Sequence, residues 1–209
     1  MLFIATPLYE NKVSVNYMDA VFQTAQLFGK KGFGTQYCFE QSTYIGVNRE
    51  KLVRRFLKTD CAYFIFIDSD IVFSPKDVAT LISSDVDLVS GIYTYRKAGS
   101  YGIPFIGKDG KMLDLRGPHL QECQFVPTGM MLVKRTVFEQ LYQKHEYLFD
   151  QGFHKGRDNP FIDPDPVSNN FEGEDVNFCR IWREYGGKIH ANSEVKVGHL
   201  GEFKYEVPE

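Results

Sequence analysis

The chain has 209 residues, 43% of them hydrophobic, which suits one substantial core and is short for two independent domains. Its 24 basic and 27 acidic side chains leave a net charge of −3 with no dense Lys/Arg block, which argues against a binder of nucleic-acid backbones. Cys38, Cys61, Cys123 and Cys179 form no C-x-x-C pair, so reduced thiols in a cytoplasmic setting are expected, and no stretch nears the ~20 apolar residues of a membrane span.

Leu2 to Ala5 reads as a first strand that stops at Thr6-Pro7, followed by a loop through Tyr9. Ser14 can cap a helix with Met18, Val21, Phe22, Ala25 and Phe28 at helical spacing, ending at Gly29 or Gly32. A second short strand is expected over Thr35 to Phe39, a helix over Asn48 to Leu57, and a strand over Ala62 to Ile67. Ser74-Pro75-Lys76-Asp77 is a helix start with a capping Ser, Pro at the first position and Asp in the first turn. Asp87 to Tyr93 reads as the next strand.

Beyond it the alternation of strand and helix weakens. Tyr93 to Glu122 suits a flap with a short strand near Ile103 to Ile106, and Gln124 to Lys134 reads as a strand interrupted at Pro127-Thr128-Gly129. Thr136-Val137-Phe138-Glu139 has the spacing of a capping box before a short helix. Phe149 to Gly173 has no period and reads as a long functional loop. Glu174 to Tyr185 is a helix stopped by Gly186, and short strands close the chain at Lys188 to His190 and Glu194 to Val197.

The Ala62 to Ile67 run is apolar and rich in β-branched and aromatic residues, as in a strand buried on both faces. Asp68 and Asp70 follow it directly. Two carboxylates cannot remain inside such a sheet unpartnered, so they belong at its carboxyl edge, where open α/β sheets bind ligands. Residues two apart in extended chain point the same way with Cα atoms roughly 6.6 Å apart. At about 2.1 Å per metal–oxygen bond, one carboxylate holds an ion more easily than both, leaving the other for a hydroxyl. A turn with a helix cap accounts for the pair equally well when it is taken alone. Thr6-Pro7 ends another apolar strand and would open on the same edge. Glu174-Asp175 opens the last long helix, where the macrodipole alone favours acidic residues.

Taken in order, Ile4-Ala5-Thr6-Pro7, Asn48-Arg49, Phe64-Ile65-Phe66-Ile67-Asp68-Ser69-Asp70, Ser90-Gly91-Ile92-Tyr93, Pro127-Thr128-Gly129 and Gly173-Glu174-Asp175 resemble the GT-A fold glycosyltransferases. The small glycosyltransferase domains of large algal DNA viruses and of phages are similar too. The resemblance implies an α/β fold with a mixed, mainly parallel sheet flanked by helices. It implies one domain over residues 1–209, with a nucleotide-binding half to residue 95 and an acceptor half from residue 96, and it is compatible with further domains in the same polypeptide.

By resemblance, Thr6, Pro7 and Tyr9 hold the nucleotide base, Arg49 meets the base or a phosphate, and Asp68 and Ser69 meet the ribose. Asp70 and His199 are implied ligands of manganese or magnesium, with the imidazole favouring manganese. Thr128 and Gly129 line the sugar site, Glu174 binds a donor or acceptor hydroxyl, and Asp175 is the general base of an inverting reaction. The implied donor is a nucleotide diphosphate hexose or deoxyhexose, UDP-linked, and the acceptor a hydroxyl on a glycan, including one carried by a glycoprotein. In a viral setting the compartment is the host cytoplasm.

Two other classes fit parts of the pattern. Asp-x-Asp after an apolar strand is also the mark of haloacid dehalogenase-type phosphatases, with Asp68 as nucleophile and Asp70 as acid/base. That family usually carries the motif on its first strand, whereas here it falls on the third, without a later Asp-Asp pair. A non-catalytic nucleotide- or glycan-binding module would keep the fold and the donor affinity without turnover. A sugar nucleotidyltransferase would need a Gly-rich, Arg-containing loop where Thr6-Pro7-Leu8-Tyr9 stands.

Overall fold

The computed structural model describes residues 1–8, 11–95, 103–149, 173–201 and 204–205. Tyr9, residues 96–102 of the expected flap and residues 150–172 of the expected long loop lie outside the described residues. In chain order the elements are β1 (Leu2–Leu8), α1 (Val15–Lys30), β2 (Thr35–Gln41), α2 (Ile45–Phe56), β3 (Tyr63–Ile67), β4 (Ile71–Val72), α3 (Pro75–Ser83) and β5 (Leu88–Ile92). There follow β6 (Ile106–Gly107), β7 (Leu120–Phe125), β8 (Met130–Lys134), α4 (Arg135–Leu141), α5 (Glu174–Glu184), β9 (Ile189–Lys196), β10 (Gly198–Leu200) and β11 (Lys204–Tyr205).

Eight strands form one sheet in the order β2-β1-β3-β8-β5-β9-β7-β6, and β11-β10-β4 form a small second sheet. The pairings leave six of the eight running one way, with β8 and β7 reversed. This is a mixed α/β fold with a mainly parallel sheet, as expected. Strands from either side of residue 95 share the main sheet, β8 lying between β3 and β5. Among the described residues no helix is long and apolar enough to cross a membrane.

The alternation of β3 separates two layers. Phe64 and Phe66 meet an aromatic cluster in which Phe56 of α2, Phe138 of α4 and Phe178 of α5 stack edge or face with one another and with Phe149. Such rings bury large area and prefer these geometries, which fixes α2, α4 and α5 as one layer. Helices α1 and α3 pack together separately, with Tyr17 of α1 edge-on to Phe73.

Several elements differ from the sequence expectation, each for a physical reason. Strand β1 does not stop at Ala5 but runs through Pro7 to Leu8. Leu2 N–H donates toward β2 at Gly34 O and Met1 O accepts from Ala62 on the β3 side, so odd-numbered residues of β1 face β3. Pairing with β3 ends at Ala5, and Pro7, with no N–H to give, falls where no ladder bond is due. The buried face of α1 is Tyr17, Ala20, Val21, Thr24 and Phe28, a stripe that leaves Phe22 exposed.

Helix α2 begins at Ile45, ahead of Asn48. The expected strand over Gln124 to Lys134 is two strands, β7 and β8, which lie apart in the sheet, so Pro127-Thr128-Gly129 is a crossing and not a kink. Thr136 is not a cap: the chain passes straight from β8 into α4 at Arg135, whose N–H is taken by Ala62 O and whose Nε donates to Cys61 O at 2.9 Å. The two short closing strands are one, β9, with a register shift opposite Gly91 and Ile92.

Candidate active site

Thr6 and Pro7 lie at the end of β1, Asp68, Ser69 and Asp70 follow β3, Thr128 and Gly129 precede β8, Glu174 and Asp175 open α5, Arg49 stands on α2 and His199 on β10. Strand β3 ends at Ile67, and the turn through Asp68, Ser69 and Asp70 is closed by Ile71 N–H donating to Asp68 O at 3.0 Å. Asp68 N–H donates to Gly129 O at 2.9 Å, so the acidic turn and the Pro127-Thr128-Gly129 crossing share a main-chain bond. The crossing is held from β5 as well. Ser90 Oγ donates to Met130 O at 2.9 Å, and Tyr93 Oη accepts from Gly129 N–H at 2.8 Å. A Cβ on Gly129 would lie 2.6 Å from Tyr93 Cζ, so this position has no room for a side chain.

Arg49 is the hub. It sits on α2, 3% exposed, with its guanidinium 5.1 Å from the centroid of Phe66. Its two terminal nitrogens donate to both oxygens of Asp68 at 3.2 and 3.3 Å, and its Nε donates to Glu174 Oε1 at 3.1 Å. The sequence expectation sent this guanidinium to a base or phosphate; in the structure its fork meets Asp68 and its Nε meets Glu174, two carboxylates of the chain itself. Burial opposes its charge, but Asp68 and Glu174 outweigh that and hold Arg49 above its ordinary pKa.

Glu174 and Asp175 begin α5, after Gly173. Asp175 Oδ1 accepts from Val176 N–H at 2.9 Å, and a Cβ on Gly173 would lie 2.7 Å from that oxygen, so glycine leaves room for the carboxylate to fold over the helix end. Burial, then the neighbouring Glu174 charge, push the Asp175 carboxyl up to about 6, with Arg49 and the Val176 N–H limiting the rise. Tyr93 is buried and feels Asp68 and Asp175; desolvation first, then these charges, hold its phenol well above the usual range.

The small sheet brings in the far end of the chain. Strand β4, directly after the acidic turn, pairs antiparallel with β10, His199 opposite Ile71. Leu200 N–H donates to Asp70 O at 2.7 Å, and His199 Nε2 lies 3.6 Å from Asp70 Oδ1. His199 Nδ1 is 3.0 Å from Thr94 O. A carbonyl can only accept, so Nδ1 carries a proton and Nε2 is the ring nitrogen turned toward Asp70. That orientation and the oxygen–nitrogen donor set fit a hard divalent cation of the manganese or magnesium type. Among the described residues no three His, Cys, Asp or Glu side chains converge as a complete ligand set.

Thr6 and Pro7 are buried at the end of β1. The Thr6 hydroxyl is hydrogen bonded to Tyr17 Oη, which also reaches Ile67 O at 3.4 Å. Desolvation holds the Tyr17 phenol above its ordinary pKa. Thr6 therefore joins the first strand to α1 and to the residue before Asp68. Thr128, within the crossing, is 2% exposed. Sequence reasoning named Tyr93 only within the Ser90-Gly91-Ile92-Tyr93 motif, with no role of its own, and did not single out Thr94 or Tyr17. Tyr93 and Thr94 were legible in principle, because they follow β5 at the same sheet edge as the acidic turn; Tyr17 carried no signal beyond its place on the inner face of α1.

No protein-family model matches the sequence, and no curated protein is similar to it at sequence level. Solved structures share the fold. Protein A197 from STIV aligns over 100% of this chain and 94% of its own, with 17% identity and a TM-score of 0.57. A variant of Drosophila β-1,4-galactosyltransferase 7, crystallised with manganese, UDP-Gal and xylobiose, aligns over 100% of this chain and 71% of its own, with 13% identity and a TM-score of 0.52. These likenesses define a GT-A-like fold.

Proposed function

We propose that this protein is a metal-dependent, inverting glycosyltransferase that moves a hexose or deoxyhexose from a UDP-linked donor to a hydroxyl on a glycan. The observation that carries the reading is the meeting, at one sheet edge, of the Asp68-Ser69-Asp70 turn with His199 on one side and, through Arg49, with Glu174 and Asp175 on the other. A protein of the same fold, crystallised with manganese, UDP-Gal and xylobiose, supports the choice of metal, donor and acceptor class.

In this reading the base lies over the end of β1 at Thr6, Pro7 and Tyr9, and Asp68 and Ser69 take the ribose. Asp70 and His199 would hold the cation, whose chemistry is Lewis-acid stabilisation of the departing diphosphate. Thr128 and Gly129 form the floor of the sugar site, where a backbone without a side chain permits close approach. Glu174 accepts a hydrogen bond from a hydroxyl of donor or acceptor. Asp175 takes the proton of the attacking hydroxyl at its carboxylate. A base with its pKa near 6 is ionised at neutral pH yet more basic than an ordinary aspartate, which suits that task.

Titration calorimetry of UDP, GDP and their sugar conjugates, with manganese and with chelator, tests this on the wild type and Asp70→Ala. Manganese-dependent binding of one nucleotide, lost in the variant, is expected. Absence of nucleotide binding under either condition overturns the reading and favours the phosphatase alternative.

A further inference from the structure

Arg49 combines four properties that do not fit a nucleotide ligand. Its side chain is 4% exposed, its guanidinium lies over Phe66, its fork is engaged by Asp68, and its remaining Nε is engaged by Glu174. Three of the five donor hydrogens of the guanidinium are thereby directed to carboxylates on two separate elements, the turn after β3 and the first residue of α5. A buried cation of this kind is planar, permanently charged and two-armed, so it sets direction as well as neutralising charge.

Resting on the glycosyltransferase reading above, we propose that Arg49 is a positioning residue. It clamps Asp68 of the donor turn to Glu174 at the start of α5, and so orients the Glu174–Asp175 pair relative to a bound donor. Two consequences follow from the charges in the cluster. Asp68, Glu174 and Asp175 are three acids influencing one cation, so the site stays net negative with Arg49 present and becomes more so without it. Asp175 is influenced by Glu174 and Arg49 and in turn acts on Tyr93 and Cys179. Arg49 is the nearby positive charge that limits the rise of the Asp175 carboxyl. The clamp also ties the donor turn to the helix on which the proposed base stands, so the two halves of the site hold a common geometry.

The test separates charge from direction. Arg49→Lys keeps a cation but cannot form the fork, and Arg49→Met removes both. The readouts are the titration of the Asp175 carboxyl by carbon-13 NMR, UDP affinity in the presence of manganese, and kcat for sugar transfer. In Arg49→Met the Asp175 midpoint is expected to rise by about one pH unit, with kcat down about a hundredfold and UDP affinity within about fivefold of wild type. In Arg49→Lys the midpoint is expected to stay within about half a unit, with kcat down roughly tenfold from lost geometry.

A tenfold or greater loss of UDP affinity with the Asp175 midpoint unmoved would overturn the proposal and make Arg49 a nucleotide ligand. If Arg49→Met does not fold, Glu174→Gln supplies the second arm. It removes the other neighbouring charge, and the Asp175 midpoint must then fall; an unchanged midpoint is again contrary. The NMR arm needs no turnover, so a wild type that binds no nucleotide would defeat the glycosyltransferase reading while leaving the link between Arg49 and Asp175 separately measured.

Discussion

Asp70 and His199 are joined by main chain as well as side chain: Leu200 N–H donates to Asp70 O at 2.7 Å while His199 Nε2 lies 3.6 Å from Asp70 Oδ1. The β4–β10 pairing thus fixes the distance between the two side chains before any ligand arrives, and Thr94 O fixes which imidazole nitrogen faces Asp70. His199→Ala is expected to weaken manganese-supported UDP binding by about 10- to 100-fold, as loss of a metal ligand or its orienter does. Binding in the presence of chelator should change little. Calorimetry at a series of manganese concentrations reads this directly, and an unaltered manganese dependence would remove His199 from the metal site.

Asp175→Asn is expected to abolish transfer while leaving UDP affinity near wild type, because Asp175 belongs to the acceptor side of the reading. The same change should stabilise the protein at neutral pH. The folded-state pKa of Asp175 is about 6 against an ordinary 3.8, so the folded state binds more protons than the unfolded one between those values. Its contribution to stability therefore falls as pH rises through that window, and the full cost is present above it. Removing the charge should return roughly 1–3 kcal/mol above about pH 7 and little below about pH 4. Thermal denaturation at the two pH values tests the sign; a variant less stable at pH 7.5 than wild type would contradict it.

For the wild type the same shift predicts the acid limb of activity. With Asp175 as the proposed base, the ionised carboxylate is the competent form, so kcat/KM should be level above about pH 7 and fall about tenfold per unit below about 6. Glu174→Gln removes a like charge beside Asp175 and is expected to move that limb to lower pH. A limb unmoved by Glu174→Gln would assign the titration to another group.

The acidic turn was legible because burial and charge conflict there: a run such as Tyr63 to Ile67 can end in Asp68 and Asp70 only at an edge. The opening of α5 at Glu174 was legible from its dipole and its Gly186 stop. The partner of Arg49 was not. Its bonds to Asp68 and Glu174 join residues from three elements, and which of several carboxylates a long side chain meets is decided by its packing over Phe66, not by local pattern. The split of Gln124 to Lys134 into β7 and β8 was hidden for a related reason. Both halves have strand composition, and only the placement of β8 between β3 and β5 shows that Thr128 and Gly129 cross from one side of the sheet to another.

That crossing is tight enough to test alone. Gly129 receives Asp68 N–H at its carbonyl, gives its own N–H to Tyr93 Oη, and would bring a methyl group to 2.6 Å from Tyr93 Cζ. The ring cannot retreat easily, because it is buried edge-on against both Phe105 and His199. Gly129→Ala is therefore expected to cost about 1–3 kcal/mol of stability by overpacking and, through Asp68 and the tilt of His199, to weaken donor binding as well. Tyr93→Phe removes only the hydroxyl that accepts from Gly129 and should cost about 1 kcal/mol. Because the hydroxyl is part of what the new methyl would strike, the double variant should be more stable than the sum of the singles requires. Denaturant unfolding of the four proteins measures that coupling. Strict additivity would mean that the Tyr93 ring, and not its hydroxyl, is what keeps Gly129 bare.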